Sequence, residues 1–467
     1  PLEISGRTAP GLEVKVTLGP STRKCRSAQD GTWKVRMPAL KAGTEIPFTV
    51  TDGRDTLSFS NVAAGEVWLC SGQSNMAFEL KGADTFSKEG LDDPMLRFYD
   101  MKSHLKTWGL VWSEEDAGKV AQGKYYDRTR WSCSSEKTAG EFSAVGYYFG
   151  KMLRDSLNVP VGLICNAVGG TTTESFISRS ALEKVLPGFC DGWLEDESVM
   201  EWARGRAREN MSAFKGGYIQ HPFMPAYLFE NGIRPLERFP IKGAIWYQGE
   251  SNAENIPQHE ILFRTLVDCW RQTWDNPDLP FYFVQLSSIG RPTWPEFRNS
   301  QRLLSLEIPH CGMAVSSDLG HPTDVHPRAK RPVGERLARL ALRNDYGKQV
   351  ECLAPAATKA FLNDSGNVTV LFDSPISVSS TMPVRGFRIC LEDGSEIPAS
   401  AEISGSDAVI LSRDAGRPDA AADSKNTKAD SRKAIVKVKY AWDPWTDANL
   451  TGTTGLPVST FDIEIGE

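Results

Sequence analysis

The chain has 467 residues, a net charge of −6 and an apolar share of 40%. The length predicts two or three domains, and the composition is that of a globular protein. The negative charge argues against nucleic acid and anionic membranes as partners, because both bind basic patches, and no apolar run reaches the roughly 18 residues of a membrane helix.

The N-terminal region, residues 1–62, is predicted to be a small β-rich domain. Apolar and polar residues alternate over 12–18 and again over 33–37, which is typical of half-buried strands. The turn dipeptide Asp30-Gly31 precedes the second of these segments. We therefore expect a small antiparallel sheet that is built from short strands.

The region 63–350 switches to strands that alternate with helical patterns. Such alternation predicts a parallel sheet with helices on both faces, and continuous apolar strands fit burial on both sides. We therefore predict an α/β fold with a three-layer α/β/α core. The predicted strands are 67–70, 161–167, 243–248, 281–286 and 312–317. The predicted helices are 142–157, 197–214, 261–270, 295–306 and 328–343, and residues 80–140 are expected to be irregular.

The region 351–467 returns to β-rich patterns and is predicted to be a C-terminal β-domain. Its segment 414–433 is rich in Ala, Asp, Lys and Ser without periodicity, which predicts a mobile surface loop. We expect the two flanking antiparallel β-regions to pack together, because two small sheets would each bury little core.

Polar residues and glycines follow the predicted parallel strands at the points where those strands end. Ser74 follows the first strand through a tight turn at Gly72, which permits a sharp change of direction. Gly169-Gly170 follows the second strand, Asn252 follows the third, and His326 lies in the loop after the last. Ligands bind at this edge of open α/β sheets, so the four positions are candidates for one site.

These residue types are those that an acyl-transfer reaction needs. Ser74 would attack the carbonyl carbon, and His326 would take its proton and return it to the leaving alcohol. The oxyanion would be stabilised by the backbone N–H of Ser74, by a glycine N–H, for which we take Gly170, and by the side-chain amide of Asn252. The sequence therefore predicts a serine esterase site.

Four segments carry these residues in a fixed order: GEVWLCSGQSNM (65–76), NAVGGTTTESF (166–176), GAIWYQGESNA (243–253) and SDLGHPTDVHPRAKRPVGERLA (317–338). With them the chain resembles the sialate O-acetylesterase family of SGNH-type hydrolases. The flanks are also similar, including YAWDPWTDANLTGTTGLP near the end. The resemblance implies an SGNH-hydrolase-like core and an esterase that removes O-acetyl groups from sugars, usually sialic acid, without metal or cofactor.

The same resemblance implies a location outside the cytoplasm. Members of the family are secreted, periplasmic or lysosomal. We therefore expect a secreted or periplasmic protein whose signal peptide has been removed, or a lysosomal one if the source is eukaryotic.

The group that orients the imidazole of His326 is left open between three alternatives. SGNH-type enzymes commonly place an aspartate three residues before the histidine, but here that position is Thr323. Asp324, two residues before the histidine, is the preferred candidate, and Asp318 and a backbone carbonyl are the alternatives. The assignment of His326 as the base does not depend on this choice.

The loop around His326 also has a superficial likeness to a metal site. His321, Asp324 and His326 are close together in the sequence. Zinc needs three or four well-placed ligands, and two prolines stiffen this loop, so we predict no metal.

Further residues near the predicted site are candidates for substrate binding or for support of the catalytic groups. Gln73, Gly169 and Gln248 adjoin the residues named above. Glu250 is expected to brace its loop by hydrogen bonds rather than to transfer protons. Arg298 lies on a predicted helix that borders the pocket in the resembling family, which implies a contact with substrate.

Three hypotheses for the function follow. The leading one is a serine carbohydrate esterase that hydrolyses O-acetyl esters, above all those of 9-O-acetylated sialic acid. An acetylxylan esterase or other polysaccharide acetylesterase shares all the chemistry and differs in the sugar. A non-catalytic carbohydrate-binding protein would use the β-domains and tryptophans such as Trp108, Trp112 and Trp131, for which packing in the core is the other interpretation. The oligomeric state is left open.

Overall fold

The computed structural model of the chain describes residues 2–378, 382–413 and 433–466. The chain divides into two compact units, of which the first comprises Pro1–Trp246 and Thr265–Phe281 and the second comprises Tyr247–Arg264 and Tyr282–Glu467. The boundaries of the three predicted domains stay a prediction. The surface loop predicted at 414–433 lies, apart from Lys433, outside the described residues. Within the described part of the chain, no helix combines the length and the apolar character that crossing a membrane requires.

The N-terminal part of the first unit is built from short strands: β1 (Leu2–Arg7), β2 (Glu13–Leu18), β3 (Ser21–Arg26), β4 (Thr32–Met37), β5 (Gly43–Thr51) and β6 (Thr56–Ala64). One antiparallel sheet has the order β3-β2-β5-β6, and β1 pairs with β4 in another. Alternation turns Val14, Val16 and Val35 inward, where their side chains form a small core. The strands predicted from the alternating segments are present as β2 and β4.

The main sheet of the first unit contains β7 (Glu66–Gly72), β8 (Asp93–Asp100), β9 (Ser132–Ser134), β10 (Val161–Ala167) and β11 (Gly243–Tyr247). Their order across the sheet is β11-β7-β10-β8-β9. β7 and β8 both run parallel to β10, and the short β9 is antiparallel to β8. Every residue of β11 is buried, as its continuous apolar sequence predicts.

Strand β8 corrects the prediction that residues 80–140 are irregular. Leu96 and Phe98 point into the core, with 0% and 2% of their surface exposed. Arg97 and Asp100 interrupt the apolar pattern, and Pro94 stands near the start of the strand. The sequence of β8 therefore lacks the continuous apolar run that predicts the other parallel strands. Pairing with β10 stabilises this strand instead.

The helices of the first unit are α1 (Ser74–Ala77), α2 (Glu114–Val120), α3 (Glu136–Ala139), α4 (Ala144–Leu157), α5 (Arg179–Val185) and α6 (Glu201–Asn210). The Ser143 hydroxyl caps the start of α4 by accepting the N–H of Gly146, and Asn158 ends the helix in the left-handed conformation with φ 53°. Phe149 and Leu153 bury one face of α4, which packs on β10. Short 3-10 turns lie at Leu80–Gly82, Thr173–Phe176 and Arg234–Leu236, and a wider π-helical turn lies at Phe229–Ile233.

After β11 the chain continues through α7 (Ile256–Thr273), β12 (Phe281–Val284), α8 (Trp294–Glu307), β13 (Cys311–Ala314), a short turn at Ser317–Leu319 and α9 (Lys330–Asn344). In the second unit β12 and β13 are neighbours. Helix α9 buries Val333 and Leu337 on one face, as its apolar spacing predicts. The parallel strands and helices of the chain together make an α/β fold, as predicted.

The C-terminal part of the second unit contains β14 (Ala357–Leu362), β15 (Val368–Phe372), β16 (Ile376–Ser377), β17 (Phe387–Leu391), β18 (Glu396–Ser404), β19 (Ala408–Arg413), β20 (Ile435–Tyr440), β21 (Thr451–Gly452) and β22 (Phe461–Gly466). Seven of these close a barrel in the order β14-β15-β19-β18-β17-β20-β22, while β16 pairs with β21. The pair that closes it, β14 and β22, is parallel, and the other pairs are antiparallel. Closure removes the exposed sheet edges.

Candidate active site

Ser74 lies where β7 ends and α1 begins. Gly72, the last residue of β7, has φ 137°, a conformation that favours glycine. The carbonyl of Gln73 accepts the N–H groups of Met76 and Ala77 at 3.0 and 2.9 Å, which starts the helical turn. Gln73 is only 3% exposed, whereas Ser74 is half-buried. The turn thus buries its neighbours and leaves the serine accessible.

The predicted glycine pair lies directly against Ser74. A Cβ atom added to Gly169 would lie 3.6 Å from the Cβ of Ser74. Gly170 has φ 82°, and a Cβ atom there would lie 2.6 Å from the ring of Trp202 and 3.2 Å from that of Phe223. Both the backbone conformation and the available space therefore require glycine at position 170. The first unit brings together Ser74, Gln73 and the two glycines, since β7 and β10 are parallel neighbours.

The three tryptophans of the segment 80–140 separate into two groups. Trp112 is 4% exposed and stacks on His221 with 5.0 Å between the ring centres. Trp131 packs between other aromatic side chains. Trp108 is 72% exposed, and the guanidinium of Arg206 lies 4.7 Å from the centre of its ring. Only Trp108 of these three has the exposure that stacking on a sugar needs.

In the second unit, Asn252 lies in the turn that follows β11. Its N–H donates to the carbonyl of Gly249 at 2.9 Å, and its Oδ1 accepts from Nε2 of Gln248 at 2.7 Å. Both side chains are buried. Because Oδ1 faces the Gln248 amide, the hydrogen-bond network assigns the other end of the Asn252 side chain as the donor.

His326 is half-buried in the loop that precedes α9. Its backbone N–H donates to Oδ1 of Asp324 at 2.8 Å, and the N–H of Asp324 donates to Nδ1 of His321 at 3.0 Å. Burial is the main cause that lowers the pKa of His326, with Lys330 and Arg291 adding to it and Asp324 opposing it. The imidazole is therefore neutral at pH 7 and able to accept a proton.

The two candidate aspartates differ in their partners. Both carboxylate oxygens of Asp318 accept from the guanidinium of Arg336 at 2.7 Å, in a bidentate ion pair. Asp324 lies in the same turn as His326 and acts on the pKa of its imidazole. Asp318 is thus held by Arg336 and Asp324 by the backbone of His326, and the group that orients the imidazole stays a prediction.

Two further charged residues belong to this part of the second unit. Glu250, just after β11, is half-buried and acts electrostatically on Lys330, the first residue of α9. Lys330 was not singled out in the sequence, because a lysine at the start of a helix is usually exposed. Its position four residues after His326 was the one available signal. In the described residues, no three His, Cys, Asp or Glu side chains are grouped so as to hold a metal ion.

Arg298 has a different environment from the one suggested by the sequence. Its side chain is 0% exposed, and its guanidinium donates to the Thr460 hydroxyl at 2.9 Å. It also donates to the backbone carbonyls of Ala441, Asp443 and Pro444 at 2.8, 2.8 and 3.0 Å. All three guanidinium nitrogens are engaged inside the second unit. This placement favours a bracing role between α8 and the barrel segment over a contact with substrate.

Replacing Arg298 with methionine is therefore expected to destabilise the protein without changing substrate affinity. The substitution removes these four charged hydrogen bonds, which we expect to lower the free energy of unfolding by about 3 kcal/mol. Chemical denaturation and KM measurements on the folded variant check this. Arg302→Met, on the same helix and only partly buried, is the matched control and should lose less stability. A raised KM with unchanged stability would contradict this prediction and support a contact between Arg298 and the substrate.

Comparison with known proteins places the chain in a family. Residues 211–343 match the family model described as carbohydrate esterase, sialic acid-specific acetylesterase. The chain is 30% identical to the sialate O-acetylesterase of Rattus norvegicus over 397 residues, which is 74% of this chain and 70% of the relative. The corresponding Mus musculus protein is 28% identical over 95% of this chain and 86% of its own length.

A solved structure supports the same assignment. The crystal structure of a carbohydrate acetylesterase from Xanthomonas citri is 30% identical and superimposes with a TM-score of 0.78. The match covers 99% of this chain and 95% of that one. The chain therefore belongs to the sialate O-acetylesterase family and is a carbohydrate esterase.

Proposed function

We propose that the chain hydrolyses O-acetyl esters of sugars through an acyl-enzyme intermediate on Ser74. The Ser74 hydroxyl attacks the acetyl carbonyl carbon while His326 takes its proton. The imidazolium then gives this proton to the leaving sugar oxygen as the ester bond breaks. A water molecule, deprotonated by His326, then attacks the acetyl-serine; the bond to the serine oxygen breaks, acetate is released, and His326 returns the proton to that oxygen.

The observation that carries this proposal is the packing of the Gly169-Gly170 turn against Ser74. Gly72, in a conformation that favours glycine, presents the serine, and Gly169 brings the backbone of the glycine turn next to it without a side chain of its own. Backbone N–H groups can approach a developing oxyanion only where no side chain intervenes. We assign the N–H groups of Ser74 and Gly170 and the side-chain amide of Asn252 to this role.

In the second unit, two features support the part of the proposal that concerns the base. The pKa of His326 is lowered, so the neutral imidazole is available at neutral pH. Asp324 holds the backbone N–H of His326 and carries the charge that stabilises the imidazolium once it forms. We therefore propose Asp324 as the third member of the catalytic group.

For the substrate, we propose acetyl esters of sialic acid, in particular the 9-O-acetyl ester. The named relatives are sialate O-acetylesterases, and the matching family model is specific for sialic acid. The exposed Trp108 directly follows Thr107, whose hydroxyl donates to the Gly169 carbonyl at 3.4 Å. Such a ring suits stacking on a sugar.

The proposal is tested by acetate release from 9-O-acetylated sialic acid and from acetylated xylan, measured side by side. We expect kcat/KM to be higher for the sialic acid ester, and Ser74→Ala to abolish release from both. Faster release from xylan would keep the mechanism and change the substrate. If the protein binds sugar but releases acetate from neither ester and does not hydrolyse p-nitrophenyl acetate, the result would favour the non-catalytic binding protein.

Two further properties belong to the proposal. We propose that the α/β part of the chain is a three-layer core of the SGNH-hydrolase type, which the order of Ser74, Gly170, Asn252 and His326 along the chain supports. We also propose a secreted or periplasmic location, or a lysosomal one in a eukaryote, where acetylated glycans are found.

A further inference from the structure

Lys330 is a buried cation in an unfavourable position. Its side chain is 0% exposed, and it is the first residue of α9. Burial removes the ammonium from water, and the positive end of the helix dipole opposes a cation at the first turn. A lysine with a flexible four-carbon stem could avoid both costs by turning to solvent. Burial is the main cause that lowers the pKa of Lys330 to about 7, and the carboxylates of Glu250 and Asp324 only partly oppose it, so the amine carries its charge below neutral pH.

The compensating groups come from two separate segments of the second unit. The carboxylates of Glu250, after β11, and of Asp324, in the loop before α9, both act on the Lys330 ammonium. The ammonium also lies 5.4 Å from the ring centre of Tyr247, whose hydroxyl is hydrogen-bonded to Ser316 and Ser287. Lys330 thus occupies the place where these two segments meet.

The same charge reaches the proposed base. The groups that act on the imidazole of His326 are Lys330 and Arg291, which lower its pKa, and Asp324, which raises it, in addition to burial. A carboxylate that orients a histidine also makes it more basic, and protonation at neutral pH would remove the base. The ammonium of Lys330, close to the carboxylate of Asp324, lowers the pKa of His326 and so counteracts this effect.

We propose that Lys330 is a positioning residue of this active site, whose ammonium holds the carboxylates of Glu250 and Asp324 and thereby fixes the loop that carries His326. This inference rests on the proposed function of Ser74 and His326. In this role Lys330 acts on the reaction through Asp324 and His326.

The test compares Lys330→Met with Lys330→Arg in the full chain, with p-nitrophenyl acetate as the probe substrate over pH 4–9. For Lys330→Met we expect kcat to fall by about 30-fold or more while KM changes by less than about 3-fold, because loop geometry rather than binding is lost. The acidic limb of kcat/KM should move to higher pH, since the cation no longer lowers the pKa of His326. Lys330→Arg keeps the charge and should leave the limb near its wild-type position.

The matched control is Arg331→Met, the next residue of α9, whose exposed side chain pairs with Glu335 at 2.7 Å. It should leave both kcat and the pH profile unchanged. A folded Lys330→Met variant with wild-type kcat and an unmoved acidic limb would overturn the inference. If Lys330→Met does not fold, Lys330→Gln and Glu250→Gln are measured in the same way, and unchanged profiles in both overturn it equally.

The outcome of this test is distinct from that of the proposed function. Activity that survives Ser74→Ala means that the serine mechanism itself is wrong. Activity that requires Ser74 but is indifferent to Lys330 contradicts only the positioning role.

Discussion

Replacing Ser74 with alanine is expected to lower kcat for acetyl-ester hydrolysis by about 10³-fold or more, equivalent to about 4 kcal/mol of transition-state stabilisation. The reason is chemical, because alanine offers no oxygen to the carbonyl carbon. The side chain is small and half-buried, so the fold should tolerate the change. Steady-state kinetics on p-nitrophenyl acetate and a thermal unfolding curve measure the two quantities together.

Ser71→Ala is the matched control for this variant. Ser71 lies three residues earlier, inside β7, and its hydroxyl donates to the Asn166 carbonyl at 2.7 Å. Its loss should lower stability by about 1 kcal/mol and leave kcat within about twofold. A serine-directed phosphonate should label wild type and Ser71→Ala but not Ser74→Ala. Labelling of Ser74→Ala, or full activity in it, would mean that another residue is the nucleophile.

The candidate site residues of the first unit could largely be predicted from the sequence immediately around them. An apolar run, a glycine and a polar residue at a strand end are signals that lie within ten residues of each other, and they predicted both Ser74 and Gly170. Helical spacing likewise predicted α4, which begins at Ala144 and ends at Leu157. Such features depend on backbone geometry and on one buried face, both of which the sequence encodes directly.

Features that depend on distant partners could not be predicted in this way. Arg298 was placed on a helix correctly, but its acceptors Ala441 and Thr460 are 143 and 162 residues away in the chain. The closure of the barrel depends on pairing Ala360 with Ile465, which no local pattern announces. The burial of Arg298 and the pairing of β14 with β22 both depend on tertiary contacts.

The environments of the two candidate aspartates show the same limit on a smaller scale. Spacing left Asp318 and Asp324 as alternatives, since each precedes His326 within one loop. The contact that Asp318 makes is with Arg336, 18 residues further on in α9. For Asp324 it is a turn hydrogen bond to the N–H two residues ahead, a local bond that a sequence permits but does not require.

Replacing Asn252 with alanine is the second variant for which we expect a large effect, a fall in kcat of about 10²-fold to 10³-fold. An oxyanion-hole donor acts in the transition state, so KM should change little. The hydrogen bond from Gln248 to Oδ1 holds the amide in one orientation at 2.7 Å, which is the preorganisation that such a donor requires. Kinetics on p-nitrophenyl acetate measure both constants, with Asn299→Ala as the matched control.

Asn299 is also buried in the second unit, where its amide donates to Asp462 at 2.8 Å and accepts from Arg302 at 2.9 Å. Its replacement should cost about 1–2 kcal/mol of stability and leave kcat within about twofold. Gln248→Ala separates orientation from donation, because it removes the group that fixes the Asn252 amide but keeps the donor. If Asn252 is an oxyanion donor, Gln248→Ala should be slower than wild type and faster than Asn252→Ala, and the double variant should be no slower than Asn252→Ala. Equal losses in the two single variants, with no further loss in the double variant, would instead mean that the pair stabilises the turn after β11 and that the oxyanion is held by the backbone N–H groups alone.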